Sequence, residues 1–447
     1  MNLVYGIHDK PRFNHVLLFA LQQLLAIMAA TITVPVVVNA ATGAAMTASA
    51  AIFGAGCGTF VYLLCTRSSS PVFLGSSFAF IGSMISAFAG ATSMAAGYLG
   101  LIIGALMAGA VYVLIAILVR IFGTGWVGKL MPPVIIGPTV AIIGLSLAGS
   151  AITNLKSTFA DGGENYAALL CGLIALAVTL LASTYGKGMI KLIPFIIGIL
   201  AGYAAAAVFA AIGNATGNAA LVIIDYTPFR TMTGFFSVPA FTFLMGREAL
   251  GEIDGTYLLT LFIAYVPVAF VVFAEHLSDH INLSSIVGVD LVNDKPGLTR
   301  TLLGDGIGSM VGAFFGGCPN TTYGESIACV AITRNASTVS IWGAGILCII
   351  FSFITPAMAF LETIPACVMG GVCIALYGFI AMSGFKMIQK VDLNDNRNLF
   401  VTCVIFISGV GGLSVSFGKV TLTTVACALI LGILTNAMLG GGKKAEK

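Results

Sequence analysis

The sequence predicts an all-α integral membrane protein of fourteen transmembrane segments. Three observations carry that expectation. The chain has 447 residues, of which 58% are hydrophobic and 8% charged, and its mean hydropathy is +1.05. Apolar runs long enough to cross a hydrocarbon layer of about 30 Å recur along the whole length. The lysines and arginines alternate with those runs as membrane topology requires.

The runs begin near Val16, Met46, Val72, Tyr98, Pro133, Ala167, Leu192, Tyr257, Leu302, Thr322, Val339, Ala366, Leu399 and Thr421. The polar opening MNLVYGIHDKPRFNH lacks a leader pattern, and the run after it is too long for a leader's apolar core. It reads as a true span. The runs near Val72 and Thr322 are atypical. Each is short, follows a proline (Pro71, Pro319) and carries small polar residues where lipid-facing leucines are expected. Residues 221–254 are the least hydrophobic stretch and read as an external loop with an interfacial helix.

Charge orients the chain. With the N-terminus inside, the inner loops hold Lys10, Arg12, Arg67, Arg120, Lys129, Lys187, Lys191, Lys295, Arg300, Arg334, Lys386, Lys390, Arg397, Lys443, Lys444 and Lys447. The outer loops hold Lys156, Arg230, Arg247 and Lys419. The bias predicts a multi-pass protein of the inner (cytoplasmic) membrane with both termini cytoplasmic. The net charge of +3 comes with no basic stripe for nucleic acid. The ten cysteines are scattered, without zinc spacing, and read as small buried hydrophobes.

The two halves echo each other. Residues 72–80 read VFLGSSFAF and residues 320–326 read NTTYGES. Each places two hydroxyl residues before an aromatic. PPVIIG at 132–137 likewise resembles PACVMG at 365–370. Each pair is seven spans apart, an odd number, so the copies are inverted in the membrane. Short or broken segments at matching positions of inverted halves point to a transporter's midplane site.

Four acids mark where such a site lies. Glu275, Asp279, Asp305 and Glu325 fall in apolar or glycine-rich stretches with no lysine or arginine in the spans to neutralise them. An intramembrane carboxylate is costly unless it is paired, protonated or faces a water-filled cavity. Glu275 and Asp279 stand at i and i+4 in AEHLSDH, on one helix face. Their mutual repulsion makes the pair a candidate proton carrier. His276 points to a different face and reads equally as structural or functional. Glu325 lies in PNTTYGES, where Pro319 and Gly324 disfavour regular helix. Non-helical backbone at membrane depth must line a cavity or be buried in protein. Its amides beside a carboxylate suit a planar hydrogen-bonding ligand. Ser77 and Phe78 of the matching half offer a hydroxyl or amide and a stacking face. Gly304, Gly308, Gly312 and Gly316 recur every four residues, a face for close helix contact. Asp305 stands beside it, as a structural hydrogen-bonding residue or as part of a proton route.

These pieces together resemble one family. LGSSFAFI from Leu74, GTGW from Gly123, CPNTTYGES from Cys318, AITR from Ala331, and VMGG with LYG in 368–378 are similar to the nucleobase–ascorbate transporters. They are also called the uracil/xanthine permeases, and the likeness is to the uracil branch. It covers residues 11–441, and PNTTYGE with AEH one span earlier is its most specific part. The resemblance implies two inverted repeats of seven segments, with short antiparallel strands in segments 3 and 10. It implies a core domain (11–130 and 255–362) and a gate domain (131–250 and 363–441), with a homodimer formed through the gate. It implies uracil or a related nucleobase held by Glu275 and Glu325 against Phe78. Backbone contacts come near Ala30, Ser77 and Gly324, Tyr323 lies in the binding motif, and Tyr377 closes the site from the gate side. Asp279, Glu275 and Asp305 are the implied coupling acids. The proton is the coupling ion, and no cofactor or metal is expected. Two departures bear on coupling: Asp279 stands where the family's best-known uracil carrier has a histidine, as in the purine branch and other uracil-type members, and Gln23 replaces a histidine in the first span. The expected function is therefore uracil:proton symport by alternating access. A xanthine, urate or broader nucleobase carrier is the alternative. A channel or membrane enzyme is disfavoured, because the spans carry no basic ring and no metal cluster or activated nucleophile.

Overall fold

A computed structural model describes residues 3–127, 131–157, 163–232, 234–417 and 420–440. Lys129, Lys419, Lys443, Lys444 and Lys447 of the charge count lie outside the described residues, as do the boundaries at 130 and 441. Each of the fourteen apolar runs contains a helix. These are α1 (Phe13–Thr42), α2 (Ala48–Cys65), α3 (Phe78–Ala89), α4 (Met94–Phe122), α5 (Pro133–Lys156), α6 (Tyr166–Tyr185) and α7 (Pro194–Thr216). The second half holds α8 (Gly255–Val287), α9 (Leu298–Gly316), α10 (Gly324–Thr333), α11 (Thr338–Ser352), α12 (Ala366–Ile388), α13 (Asn396–Val410) and α14 (Thr424–Gly440). Among the described residues, eight of these helices are long and apolar enough to cross a membrane. The chain is a multi-pass membrane protein.

Local chemistry sets the helix ends. The side chains of Thr47, Ser93 and Asp254 cap α2, α4 and α8 by accepting from Ala50, Ala96 and Tyr257 amides. At the other end, α1 and α8 stop at Gly43 and Gly288, whose φ values of 71° and 75° suit glycine. Ahead of α8, Glu252 accepts from Thr92 at 2.8 Å and Ser93 at 2.6 Å. These two hydroxyls hold its carboxyl below the usual range and fasten the loop to the start of α4.

The helices pack in two groups. In one, α9 lies between α2 and α4, α11 packs on α1 and α2, and α8 packs on α3 and α4. In the other, α12 packs on α5 and α6, α6 on α7, and α13 and α14 on α5 and on each other. The period-four glycine face of α9 meets α2 at backbone distance. A Cβ on Gly54 would stand 2.5 Å from the Gly312 carbonyl oxygen, and one on Gly308 would stand 2.8 Å from that of Gly58. The neighbours are backbone, so no side-chain rotation relieves the clash. Gly54→Ala should therefore cost about 1–3 kcal/mol and lower the melting temperature of the purified protein. Gly149→Ala is the control. Gly149 is an exposed helix position where a Cβ meets nothing within 4 Å, and an unchanged or slightly raised melting temperature is expected.

Two three-residue strands lie inside the first group. β1 (Leu74–Ser76) pairs antiparallel with β2 (Asn320–Thr322) in the register Leu74↔Thr322, Gly75↔Thr321, Ser76↔Asn320. The Ser77 amide continues the ladder to the Pro319 carbonyl at 2.9 Å, and the Tyr323 amide to that of Phe73 at 3.2 Å. Side chains complete it. The Thr59 hydroxyl accepts from the Leu74 amide at 3.0 Å, and the Ser326 hydroxyl from the Phe73 amide at 3.0 Å. Every β1 and β2 residue is buried, so each backbone group needs these partners. A second hairpin, β3 (Val415–Phe417) with β4 (Val420–Leu422), has no counterpart in the sequence expectation. It occupies the point where the last span was expected to begin, near Thr421, and α14 starts only at Thr424. Val415 and Phe417 on one side of Gly418 and Lys419, with Val420 and Thr421 on the other, are the signal for it.

Candidate functional site

β1 runs directly into α3 and β2 directly into α10. Two helices therefore begin at one strand pair. No side chain caps either start, where Ser77 and Tyr323 stand. First-turn amides have no intrahelical partner and carry partial positive charge. Beside this strand pair runs α8, which packs on β2, on α10 and on the first turn of α3.

That packing brings three acids together. Glu275 and Asp279 of α8 and Glu325 in the first turn of α10 are each half-buried, and Glu275 lies within electrostatic reach of both others. Asp279 Oδ2 accepts from the Thr322 hydroxyl at 2.7 Å, tying the acid to β2. Gly324 is exposed, and a Cβ there would meet nothing within 4 Å. Its backbone faces open space beside Glu325. Across the site, the buried Ser77 hydroxyl has no partner among the described residues. Phe78 packs edge-to-face on Tyr377 of α12, with ring centroids 5.7 Å apart and planes at 76°. That contact joins the two helix groups. Ala30 is buried in α1, which packs on β1, α3 and α10.

Two residues named from sequence sit elsewhere. Tyr323 is buried, and its hydroxyl donates to the Ser76 carbonyl at 2.7 Å, so the side chain is committed to the strand pair. Its ring also fills the space a Cβ on Gly75 would need. Asp305 of α9 is buried against another face of α8, where its Oδ2 pairs with His276 Nδ1 at 2.7 Å. His276 Nε2 meets the Thr301 hydroxyl at 3.1 Å. The His276 and His280 rings stack with centroids 4.0 Å apart, and His280 Nε2 reaches the Tyr62 hydroxyl at 2.7 Å. Helix α8 thus carries two i, i+4 pairs. Glu275 and Asp279 are half-buried, while His276 and His280 are sealed in protein.

Comparison with known proteins now bears on these features. The model of the xanthine/uracil-type Permease family matches residues 14–417. The uracil permease of Bacillus subtilis (strain 168) is 37% identical, over 99% of this chain and 96% of that protein. The uracil permease of Escherichia coli (strain K12) is 35% identical, over 96% of this chain and 92% of that protein. The chain belongs to the uracil/xanthine permease family. Permeases are transporters, so this permease is a transporter and not an enzyme. Its fold is shared by the transmembrane domain of a cyanobacterial bicarbonate transporter, BicA. There the TM-score is 0.63 at 14% identity, covering 97% of this chain and 100% of that one. SLC26A9 gives 0.64 at 13%, covering 97% and 66%.

Sequence reasoning named Asp305, His276 and Gln23 but not the partners the fold gives them. Asp305 is 29 residues from His276, and no periodicity links them. Gln23 of α1 donates to the Ser326 carbonyl at 3.3 Å, one residue beyond Glu325. Only the i, i+4 spacing of the two histidines was available as a signal. Residues 4–9 are also held to the turn between α10 and α11: the Val4 amide donates to the Arg334 carbonyl at 2.8 Å, and the Ser337 hydroxyl to that of Asp9 at 2.7 Å.

Proposed function

We propose that this permease carries uracil inward across the cytoplasmic membrane together with protons, by alternating access. The observation that carries the reading is the meeting of Glu275 and Glu325 with two uncapped helix starts at one strand pair. Uracil presents N–H donors beside carbonyl acceptors. Carboxylates accept from the first, and first-turn amides near Ser77 and Gly324 donate to the second. Phe78 supplies the face for the ring, and Tyr377 approaches from the other helix group. Relatives named uracil permeases, matched over nearly the whole chain, support uracil over a purine.

In this reading the fourteen helices form two inverted repeats of seven. The group of α1–α4 with α8–α11 is the core that holds substrate, and the group of α5–α7 with α12–α14 is the gate. The groups meet where Phe78 packs on Tyr377 and where α8 packs on α5 and α14, and one rocks against the other along that seam. Helices α6 and α7, each only one-third buried, give the gate its outer surface for lipid or a second copy in a homodimer. Asp279 takes the coupled proton beside Glu275, and both termini are cytoplasmic.

The test is uptake of labelled uracil by proteoliposomes with an alkaline interior. Uracil should accumulate transiently above equilibrium, and a protonophore should abolish the overshoot. Uptake indifferent to the pH gradient would remove proton coupling. Xanthine or urate taken up faster than uracil would reassign the substrate.

A further inference from the structure

Beside the sealed face of α8 lies a small cavity that the acids of the candidate site do not use. It is lined by Phe80, Tyr112, Asp305, Ser309 and Asn320, with Val272 of α8 closing one wall. It leaves about 10 Å³ for the centre of a water-sized sphere, the room that a single water needs. Two polar atoms of its lining residues have no hydrogen-bond partner among the described residues: Asp305 Oδ1 and the Tyr112 hydroxyl. Those residues are only 1% and 4% exposed. A buried carboxylate oxygen and a buried phenol left unpaired are both costly, and one water satisfies both. It donates to Asp305 Oδ1 and accepts from Tyr112, and the Ser309 hydroxyl supplies a third partner.

We propose that one ordered water occupies this cavity, bridging Tyr112, Asp305 Oδ1 and Ser309, and that Tyr112 is thereby a positioning residue for the acids of α8. The bridge completes a chain from Tyr112 of α4, through the water, to Asp305 of α9 and on to His276 of α8. Its end fixes the rotation of α8 about its axis, because a helix turns as a unit. Glu275 is the next residue to His276, so its direction follows. The Tyr112 ring also packs edge-on against the His276 ring, with centroids 6.2 Å apart. Phenylalanine at 112 keeps that contact and removes only the hydroxyl.

The functional arm of the test rests on the transport reading; the structural arm does not. In a high-resolution structure of the substrate-free protein, one solvent peak should lie within hydrogen-bond distance of Tyr112 Oη and Asp305 Oδ1. No peak there, or an ion peak accompanied by sodium-dependent transport, overturns the water. In proteoliposomes, Tyr112→Phe should raise KM for uracil about fivefold and hold the maximal rate within about twofold, the signature of lost positioning in binding. Ser309→Ala should raise KM by less. The double variant should be within about twofold of Tyr112→Phe, because both lose the same water and their effects do not add. A wild-type KM in Tyr112→Phe, or multiplicative losses in the double variant, overturns the positioning role. Should Tyr112→Phe not fold, Ser309→Ala carries the KM test at smaller amplitude. If the wild type carries no uracil, the transport reading fails and the solvent peak still decides the water.

Discussion

Glu325→Ala should abolish measurable uracil binding while leaving a folded protein in detergent. Glu325 stands in the first turn of α10, beside the open backbone of Gly324. In the proposed binding mode its carboxylate is the acceptor contributed by that half of the site. Removing an acceptor leaves a bound N–H unpaired in a partly dry site, at a cost of about 1–3 kcal/mol for a neutral pair and more for a charged one. Alanine also keeps α10 helical, so the strand pair and its ladder stay formed. Glu325→Gln separates two contributions: it retains one acceptor oxygen without the charge. Binding by Glu325→Gln should fall between wild type and alanine. The measurement is calorimetric or scintillation-proximity titration with uracil, alongside a size-exclusion profile. Affinity equal to wild type in Glu325→Ala would remove this residue from the site.

Asp279→Asn should exchange uracil but not concentrate it. The side chain has one strong contact, the Thr322 hydroxyl donating to Oδ2 at 2.7 Å. Asparagine preserves it, because its amide oxygen accepts in the same place. What it loses is the ability to bind and release a proton. The substitution leaves the proposed binding acids Glu275 and Glu325 in place, so exchange of labelled for unlabelled uracil should continue within about threefold of wild type, the loss of a minor contact. Accumulation driven by a pH gradient should collapse to equilibrium. Uphill accumulation at the wild-type level would exclude Asp279 as the coupling residue and leave Glu275, with Asp305 behind it.

Much of the site was legible because membrane burial makes certain residues conspicuous. A carboxylate in an apolar run needs a reason, and that alone singles out Glu275, Asp279, Asp305 and Glu325, of which Asp305 turns out to pair with His276. Helical spacing puts the first two on one face without any structure. The prolines ahead of Leu74 and Asn320 mark broken spans, and period-four glycines mark a backbone contact for α9. Other features gave no such signal. Tyr323 stands inside the most specific motif, yet its hydroxyl serves the strand pair. The partners of Asp305 and His276 lie on different helices. The hairpin before α14 is too short to alter the hydropathy of the run that follows it.

The sequence alone determined the class of the chain, because hydrophobicity and the distribution of charge are additive properties of composition along a line. It determined which acids are exceptional and which family the motifs resemble. The tertiary structure alone decided what those acids face. Whether a carboxylate is sealed against a histidine, as Asp305 is, or opens beside two helix starts, as Glu325 does, depends on how α8, α9 and α10 are rotated against one another. That rotation is set by the sum of many side-chain and backbone contacts between distant segments, and no single stretch of residues contains it.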